Sequence, residues 1–160
     1  MITNDVLAFL ALILCALSLR RILRSYSTFR GTRVIDCPDA RQPAALELAA
    51  WRAAWTSVVR RPALRVRQCS RWRESGRCAQ ACLPRIAAAP REFLVRTILA
   101  RWRVGKSCSW CGGPLDKPGL VSPDLKIFEW RDLRPETIPR ALQTHAPVCR
   151  TCLIAETHIW

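Results

Sequence analysis

Histidine is nearly absent, with His145 and His158 the only two in 160 residues. A metalloprotease His-Glu-x-x-His cannot be assembled from them, and no Ser-His-Asp set has workable spacing. Glycine is also sparse, at six residues, and none of them form the Gly-rich loop that cradles a nucleotide phosphate. Acidic side chains are few, 12 against 26 Lys and Arg, which leaves a net charge of +14. Together these absences argue against an enzyme and point to a basic protein that binds or supports something else. The length suits one ordinary domain or two small metal-stapled ones.

Cysteine, by contrast, is abundant, with nine residues. Cys108-Ser-Trp-Cys111-Gly-Gly and Val148-Cys149-Arg-Thr-Cys152 are two C-x2-C pairs separated by 37 residues. Two thiolates three positions apart can grip one ion from a tight turn, and a following Gly-Gly supplies the backbone freedom such a turn needs. Between the pairs, 119–124 and 126–130 read as two short strands around a Pro-Asp turn, and Leu153 onward as one or two helical turns. Knuckle, hairpin and a cysteine pair opening a helix resemble the treble-clef and zinc-ribbon class of metal-binding modules. The expected ligands are Cys108, Cys111, Cys149 and Cys152, around a closed structural zinc; two disulfides, or iron in a rubredoxin-like cage, remain open. His145, close to Cys149 in sequence, is a candidate second-shell hydrogen-bond partner. Treble-clef nucleases of the His-Asn-His type carry a histidine on the hairpin. Here that hairpin offers Ser122, Asp124, Lys126 and Glu129 instead, so that activity is not expected.

The chain begins with an apolar segment. Val6 to Leu19 is 14 residues without a charge, about 21 Å as a helix against roughly 30 Å of hydrocarbon. Ile2 to Leu23 is 22 residues, long enough to span if Asp5 lies at one interface and Arg20 and Arg21 snorkel at the other. A cleaved signal is the competing reading, with Ala16-Leu-Ser18 as its small-x-small site. A signal has its positive charge before the apolar run, yet here Arg20, Arg21, Arg24, Arg30 and Arg33 follow it. The positive-inside rule then puts the N-terminus outside and the cysteine-rich part in the cytoplasm of a bacterial inner membrane. A lipoprotein reading of Leu12-Ile-Leu-Cys15 is disfavoured by the large residue before the cysteine.

A reducing cytoplasm favours metal ligands over disulfides. With Cys15 assigned to the apolar helix, eight cysteines remain, or two sets of four. The second set is Cys37, Cys69, Cys78 and Cys82. Cys37-Pro38 opens a turn, and Cys78-x3-Cys82 would place two sulfurs one helical turn apart. The spacing matches no standard finger, so zinc is preferred while an iron-sulfur cluster stays open. Around these cysteines, Leu48, Trp51, Trp55 and Val58 recur at helical spacing, although Ala45 to Leu48 reads equally as a strand. Leu64 to Gln68 alternates like a strand, and Pro90 opens a helix over Arg91 to Arg103 with Leu94, Ile98 and Trp102 on one stripe.

Basic charge concentrates in the middle: the net charge is +3 over residues 1–30, +11 over 31–110 and zero over 111–160. Two divalent ions on eight thiolates would lower the net charge to about +10. Arg71-Trp72-Arg73 and Arg101-Trp102-Arg103 combine guanidiniums with aromatic rings and suit a partner protein, an anionic membrane surface or, less readily, nucleic acid. The blocks Asp36-Cys-Pro, Cys69-Ser-Arg-Trp, Cys78-Ala-Gln-Ala-Cys-Leu, Gly105-Lys-Ser-Cys-Ser-Trp-Cys-Gly and Pro147-Val-Cys-Arg-Thr-Cys-Leu-Ile-Ala-Glu-Thr resemble those of an uncharacterised group of bacterial membrane-anchored Cys-rich proteins. That resemblance covers most of 35–157 and implies an anchored two-metal architecture without implying an activity. The expected fold is a small α+β metal-stapled domain behind one transmembrane helix, with residues 1–24 as anchor, 25–36 as basic linker, 37–104 as one four-cysteine module and 105–160 as the other. The expected role is an accessory subunit of a larger membrane complex, such as a respiratory or photosynthetic electron-transfer assembly. An iron-containing electron carrier and a membrane-tethered nucleic-acid-binding zinc protein are the alternatives.

Overall fold

In the computed structural model the chain is a small α+β protein, described over residues 2–72, 78–115, 119–122, 127–129 and 131–157. It divides into two compact units, one made of Met1–Thr32 with Leu46–Arg91 and the other of Arg33–Ala45 with Glu92–Trp160.

The first unit begins with α1, Ile2–Phe29, a helix of 28 residues. Its stretch Asp5–Phe29 is long and apolar enough to cross a membrane. The helix runs past the apolar segment because no Gly or Pro interrupts it before Gly31, whose φ of 100° ends it. Side chains from Asp5 to Leu17 are exposed on every side. From there on the helix is one-faced: Ser18 and Ile22 are half-buried, and Ser25 and Phe29 are buried. That spacing makes one stripe, the mark of a helix packed along a single face. α2, Ala50–Thr56, packs against α1, where the Ser25 hydroxyl donates to the Ala53 carbonyl at 3.2 Å. Ala53 and Ala54 are wholly buried, and their small side chains let the two helices come close.

Before α2 lies β2, Pro43–Leu48, which pairs antiparallel with β3, Val66–Cys69, with Leu46 opposite Cys69 and Glu47 opposite Gln68. The residues that fitted either strand or helix are therefore split, strand up to Leu48 and helix from Ala50. α3, Leu83–Ala88, buries Ile86 completely. It corrects one expectation, since Cys78 does not share a helical turn with Cys82. Pro84 lacks an N–H and is tolerated only in a first turn, so the helix starts at Leu83 with Cys82 as its cap. Cys78 lies in the preceding loop, where Gln80 takes a φ of 57°.

The second unit opens with β1, Arg33–Asp36, followed by a tight turn in which the Cys37 N–H donates to the Gln42 carbonyl at 2.9 Å and the Arg41 N–H to the Cys37 carbonyl at 2.8 Å. The anticipated Cys37-Pro38 turn is thus present. α4 spans Val95–Arg103 and starts later than the sequence pattern predicts. Phe93 and Leu94 are drawn into extended pairing with β1: the Val34 N–H donates to the Phe93 carbonyl at 2.9 Å, and Arg33 bridges Leu94. Arg33 is wholly buried, so it does not join the exposed basic flank of the apolar helix. Burial, then the neighbouring Arg96, pulls its guanidinium down to about 10.

β4, Gly119–Val121, pairs antiparallel with β5, Ile127–Glu129, and with β6, Ala146–Val148. Two strands were expected between the cysteine pairs; their turn, 123–126, and Trp130 lie outside the described residues. A 3-10 turn, Pro135–Thr137, leads into α5, Ile138–Thr144, and α6, Arg150–Thr157, ends the described chain. Both faces of β4 are covered. Leu120 packs with Val34, Val95, Leu99, Ile138 and Leu142, while Val121 packs with Cys108, Leu115, Val148 and Cys149. Alternation along one strand thus serves two cores. Trp102 lies against the first core and donates its indole N–H to the Leu142 carbonyl at 2.8 Å, so α4 is tied to α5. Trp102→Phe is expected to cost about 1–2 kcal/mol, because a largely buried carbonyl loses its donor; thermal unfolding of the second unit reads this out, and an unchanged midpoint would refute it.

Candidate metal centre

Four thiols from two distant stretches converge in the second unit. The Sγ atoms of Cys108, Cys111, Cys149 and Cys152 all lie within 4.8 Å of one another. Cys111 and Cys149 sulfurs are 3.7 Å apart. A tetrahedral ion with sulfur bonds of about 2.3 Å spaces its ligands about 3.8 Å apart, whereas a disulfide joins them at about 2.05 Å. The cage therefore has the dimensions of an ion site, and its all-sulfur donor set suits zinc or iron.

Local backbone chemistry sets each sulfur. The Gly112 N–H donates to the Cys108 carbonyl and the Cys108 N–H to the Gly113 carbonyl, both at 2.9 Å, closing the knuckle. Gly112 has a φ of 71°, a left-handed conformation that suits glycine. A Cβ on Gly113 would sit 3.3 Å from the Cys111 sulfur, so the second glycine makes room for the ligand itself. The Ser109 N–H donates to the Pro147 carbonyl at 2.9 Å, holding the knuckle against β6. β6 runs straight into Cys149, whose N–H donates to the Cys108 sulfur at 3.3 Å. Leu153 N–H bonds back to the Cys149 carbonyl at 3.0 Å, so Cys149 and Cys152 belong to the first turn of α6. Unpaired N–H groups at a helix start favour negative charge on such thiols. Leu153 also rests on β4, with one of its methyls 2.8 Å from where a Cβ on Gly119 would lie.

Crowding the thiols divides their protons unequally. Burial pushes the Cys108 thiol up, but the N–H groups of Cys149, Cys111 and Trp110, together with the Cys111 thiol, outweigh it and bring it down to about 6. Cys152 is pushed up to about 12, first by its hydrogen bonds with Cys149 and Cys111, then by burial and by Cys108. Cys108 and Cys149 are buried, Cys152 is half-buried and Cys111 is exposed. The site is closed by protein on the Cys108 side and reachable from solvent on the Cys111 side.

Other anticipated residues fall elsewhere. His145 caps α5, and its Nδ1 is 2.7 Å from the Thr144 hydroxyl. Among the described residues no other group of His, Cys, Asp or Glu is close enough to share an ion. Cys37 lies in the second unit, and Cys69, Cys78 and Cys82 lie in the first. The Gln80 N–H donates to the Cys78 sulfur at 3.4 Å, and the Gln80 side-chain oxygen accepts from the Val66 N–H at 2.9 Å. Trp72 is exposed beside the half-buried Arg71, and Arg73 is outside the described residues. Arg101 and Arg103 are exposed on α4, where Arg101 pairs with Glu92 at 3.0 Å, while Trp102 is turned inward under Lys106. Sequence reading missed the bonds that aim the cage, Cys149 N–H to Cys108 and Ser109 N–H to Pro147. The Gly-Gly after Cys111 marks the knuckle turn and not these long-range bonds.

Zinc binding must displace the Cys152 proton at any pH near neutral, since that thiol titrates far above it. Apparent zinc affinity is therefore expected to rise about tenfold or more per pH unit between pH 6.5 and 8. Competition with a chromogenic chelator measures this, and a flat profile would exclude Cys152 as a thiolate ligand. No family model, curated protein or solved structure matches the chain, so the chemistry of these four thiols is the firmest guide to its function.

Proposed function

We propose that this chain is a non-catalytic, membrane-anchored zinc-binding accessory subunit of a larger membrane complex, of respiratory or photosynthetic type. The single observation that carries the metal-binding part of the reading is the convergence of four cysteine sulfurs within 4.8 Å; the accessory role in a complex is the expectation drawn from the sequence. Four thiolates fill a tetrahedral zinc and leave no position for substrate or water, which is the pattern of a structural ion. The chain's own residues then hold and shield it: Cys108 and Cys149 from the buried side, Cys111 and Cys152 from the outer. His145, through its other ring nitrogen, is a second-shell partner in this reading. The order of knuckle, β4–β5 hairpin and ligand-bearing α6 supports a treble-clef or zinc-ribbon assignment, with the 3-10 turn and α5 as an insertion before the second ligand pair.

A second ion with Cys69, Cys78 and Cys82 among its ligands belongs to the same proposal; those sulfurs are not close enough to share an ion as the chain stands, so its binding would have to draw them together. Its support is local: Gln80 adopts a left-handed turn and gives its N–H to the Cys78 sulfur, the kind of bond that Cys149 gives to Cys108. The anchor rests on α1, which is apolar and bare from Asp5 to Leu17. Arginines at its far end support an orientation with the N-terminus outside and the cysteines in the cytoplasm of a bacterial inner membrane. Exposed Trp72, Arg101 and Arg103, with the half-buried Arg71 beside Trp72, offer contacts for the partner complex.

Elemental analysis and an absorption spectrum on protein purified without oxygen in mild detergent test the metal. Two zinc per chain and no visible band are expected, and one of the two should be lost from Cys78→Ser/Cys82→Ser. Iron with a violet band would replace the structural reading by an electron-transfer one. Cys108→Ser/Cys111→Ser is expected to unfold the second unit's cysteine-bearing part and to release the chain from whatever co-purifies with it; a variant that keeps its fold and its zinc would defeat the proposal.

A further inference from the structure

The first unit carries an aromatic ladder that neither its core nor a metal site accounts for. Tyr26, on α1, lies 4.9 Å from Trp51 on α2, measured between ring centroids, and Trp51 lies 6.3 Å from Trp55 with the planes 24° apart. These two tryptophans, four positions apart on α2, remain 56% and 63% exposed, and Val59 just beyond is 91% exposed. The opposite face of the same helix is fixed, with Ala53, Ala54 and Ser57 buried and Ser25 bonded to Ala53. The loop beyond is fixed as well, because the Ala63 N–H donates to the Thr56 hydroxyl at 2.8 Å. Two large rings are thus held outward by a rigid attachment to α1.

The charge around them has one sign. Arg20, Arg21 and Arg24 on α1 and Arg52, Arg60 and Arg61 around α2 are all exposed, and the sequence has no Asp or Glu between residues 48 and 73. Position along α1 matters too. Counted from Leu23, where the stretch long enough to span ends, Tyr26 lies three residues on, about 4.5 Å along the helix, inside a polar zone about 5–7 Å deep on each side of a bilayer. Helical side chains lean toward the N-terminus, which carries the Tyr26 ring back toward the apolar end of α1. Tryptophan and tyrosine favour that boundary, where one end of the ring is apolar and the other wet.

We propose that α2 is an interfacial foot: Trp51, Trp55 and Val59 insert into the headgroup–acyl boundary of an anionic leaflet, while Arg52, Arg60 and Arg61 engage its lipid phosphates. The occupant is the bilayer itself, because α2 is held on the helix that carries the apolar stretch and the basic charge around the exposed rings complements anionic lipid. This rests on the anchor reading and adds to it. A bare spanning helix rotates and tilts freely, whereas a helix with a foot holds the first unit in one orientation on the membrane. Basic residues near an anionic surface add to its attraction.

The full chain in liposomes of brominated phosphatidylcholine, with and without phosphatidylglycerol, tests the foot. A component of the wild-type tryptophan fluorescence is expected to be quenched, more strongly with phosphatidylglycerol, and to fall by half or more in Trp51→Phe/Trp55→Phe. An alkaline carbonate wash of the same liposomes tests the anchor separately. Chain retained in the pellet with equal quenching in wild type and variant overturns the foot and leaves the anchor standing. Chain released into the supernatant overturns both. Wild-type dimers in detergent that become monomers in the variant, without any quenched component, would give this face to a second copy and overturn the lipid proposal.

Discussion

Four sulfur atoms held within 4.8 Å are the constraint on which the second unit depends. Thiolates at that distance repel, and the unequal protons of Cys108 and Cys152, one pulled down to about 6 and the other pushed up to about 12, are the form that conflict takes without an ion. A divalent cation removes it by replacing shared protons with one central charge. The magnitude decides its importance: structural zinc contributes about 10–16 kcal/mol in small domains, against about 5–15 kcal/mol for the whole stability of an ordinary one. In a unit whose strands are three or four residues long, an ion there would supply free energy as large as the whole net stability.

The effect of that clamp reaches further through β4. Its three residues are all buried, Leu120 toward the α4–α5 core and Val121 toward the cysteines. Backbone pairing to β6 holds the strand that delivers Cys149, and Gly119 leaves room for Leu153 of α6. One short strand therefore links the apolar core to the sulfur cage, and a change in either is felt in the other because close-packed interiors transmit strain.

The first unit obeys a different constraint. α1 changes character along its length: apolar and exposed all round at first, then one-faced where Ser25 and Phe29 are buried. An all-round apolar surface suits an apolar surrounding on every side, while a single buried stripe needs only one protein neighbour. The transition falls at Arg20 and Arg21, where charged side chains can reach water, and the exposed tryptophans of α2 gather on the basic side of it.

Much of this was legible in the residues. Spacing alone brought Cys108, Cys111, Cys149 and Cys152 forward as one site, because two-residue gaps and a Gly-Gly turn are local geometry written directly in sequence. The apolar helix and the strands at Gly119–Val121 and Ile127–Glu129 were equally local, since periodicity and composition act within one element. Tertiary structure decided what depends on distant neighbours. Pairing of Phe93 and Leu94 with β1 delayed the start of α4, and Pro84 set the start of α3 so that Cys78 fell in a loop rather than beside Cys82. Trp102 turned inward because Leu142, forty residues away, offers it a carbonyl, and Trp51 and Trp55 turned outward because the alanines between them fill the space against α1. The sequence by itself brought forward four cysteines that could hold an ion and one helix long and apolar enough to cross a membrane. Only the folded chain decided which tryptophans are core and which are surface, because a ring's exposure depends on partners that no local pattern names.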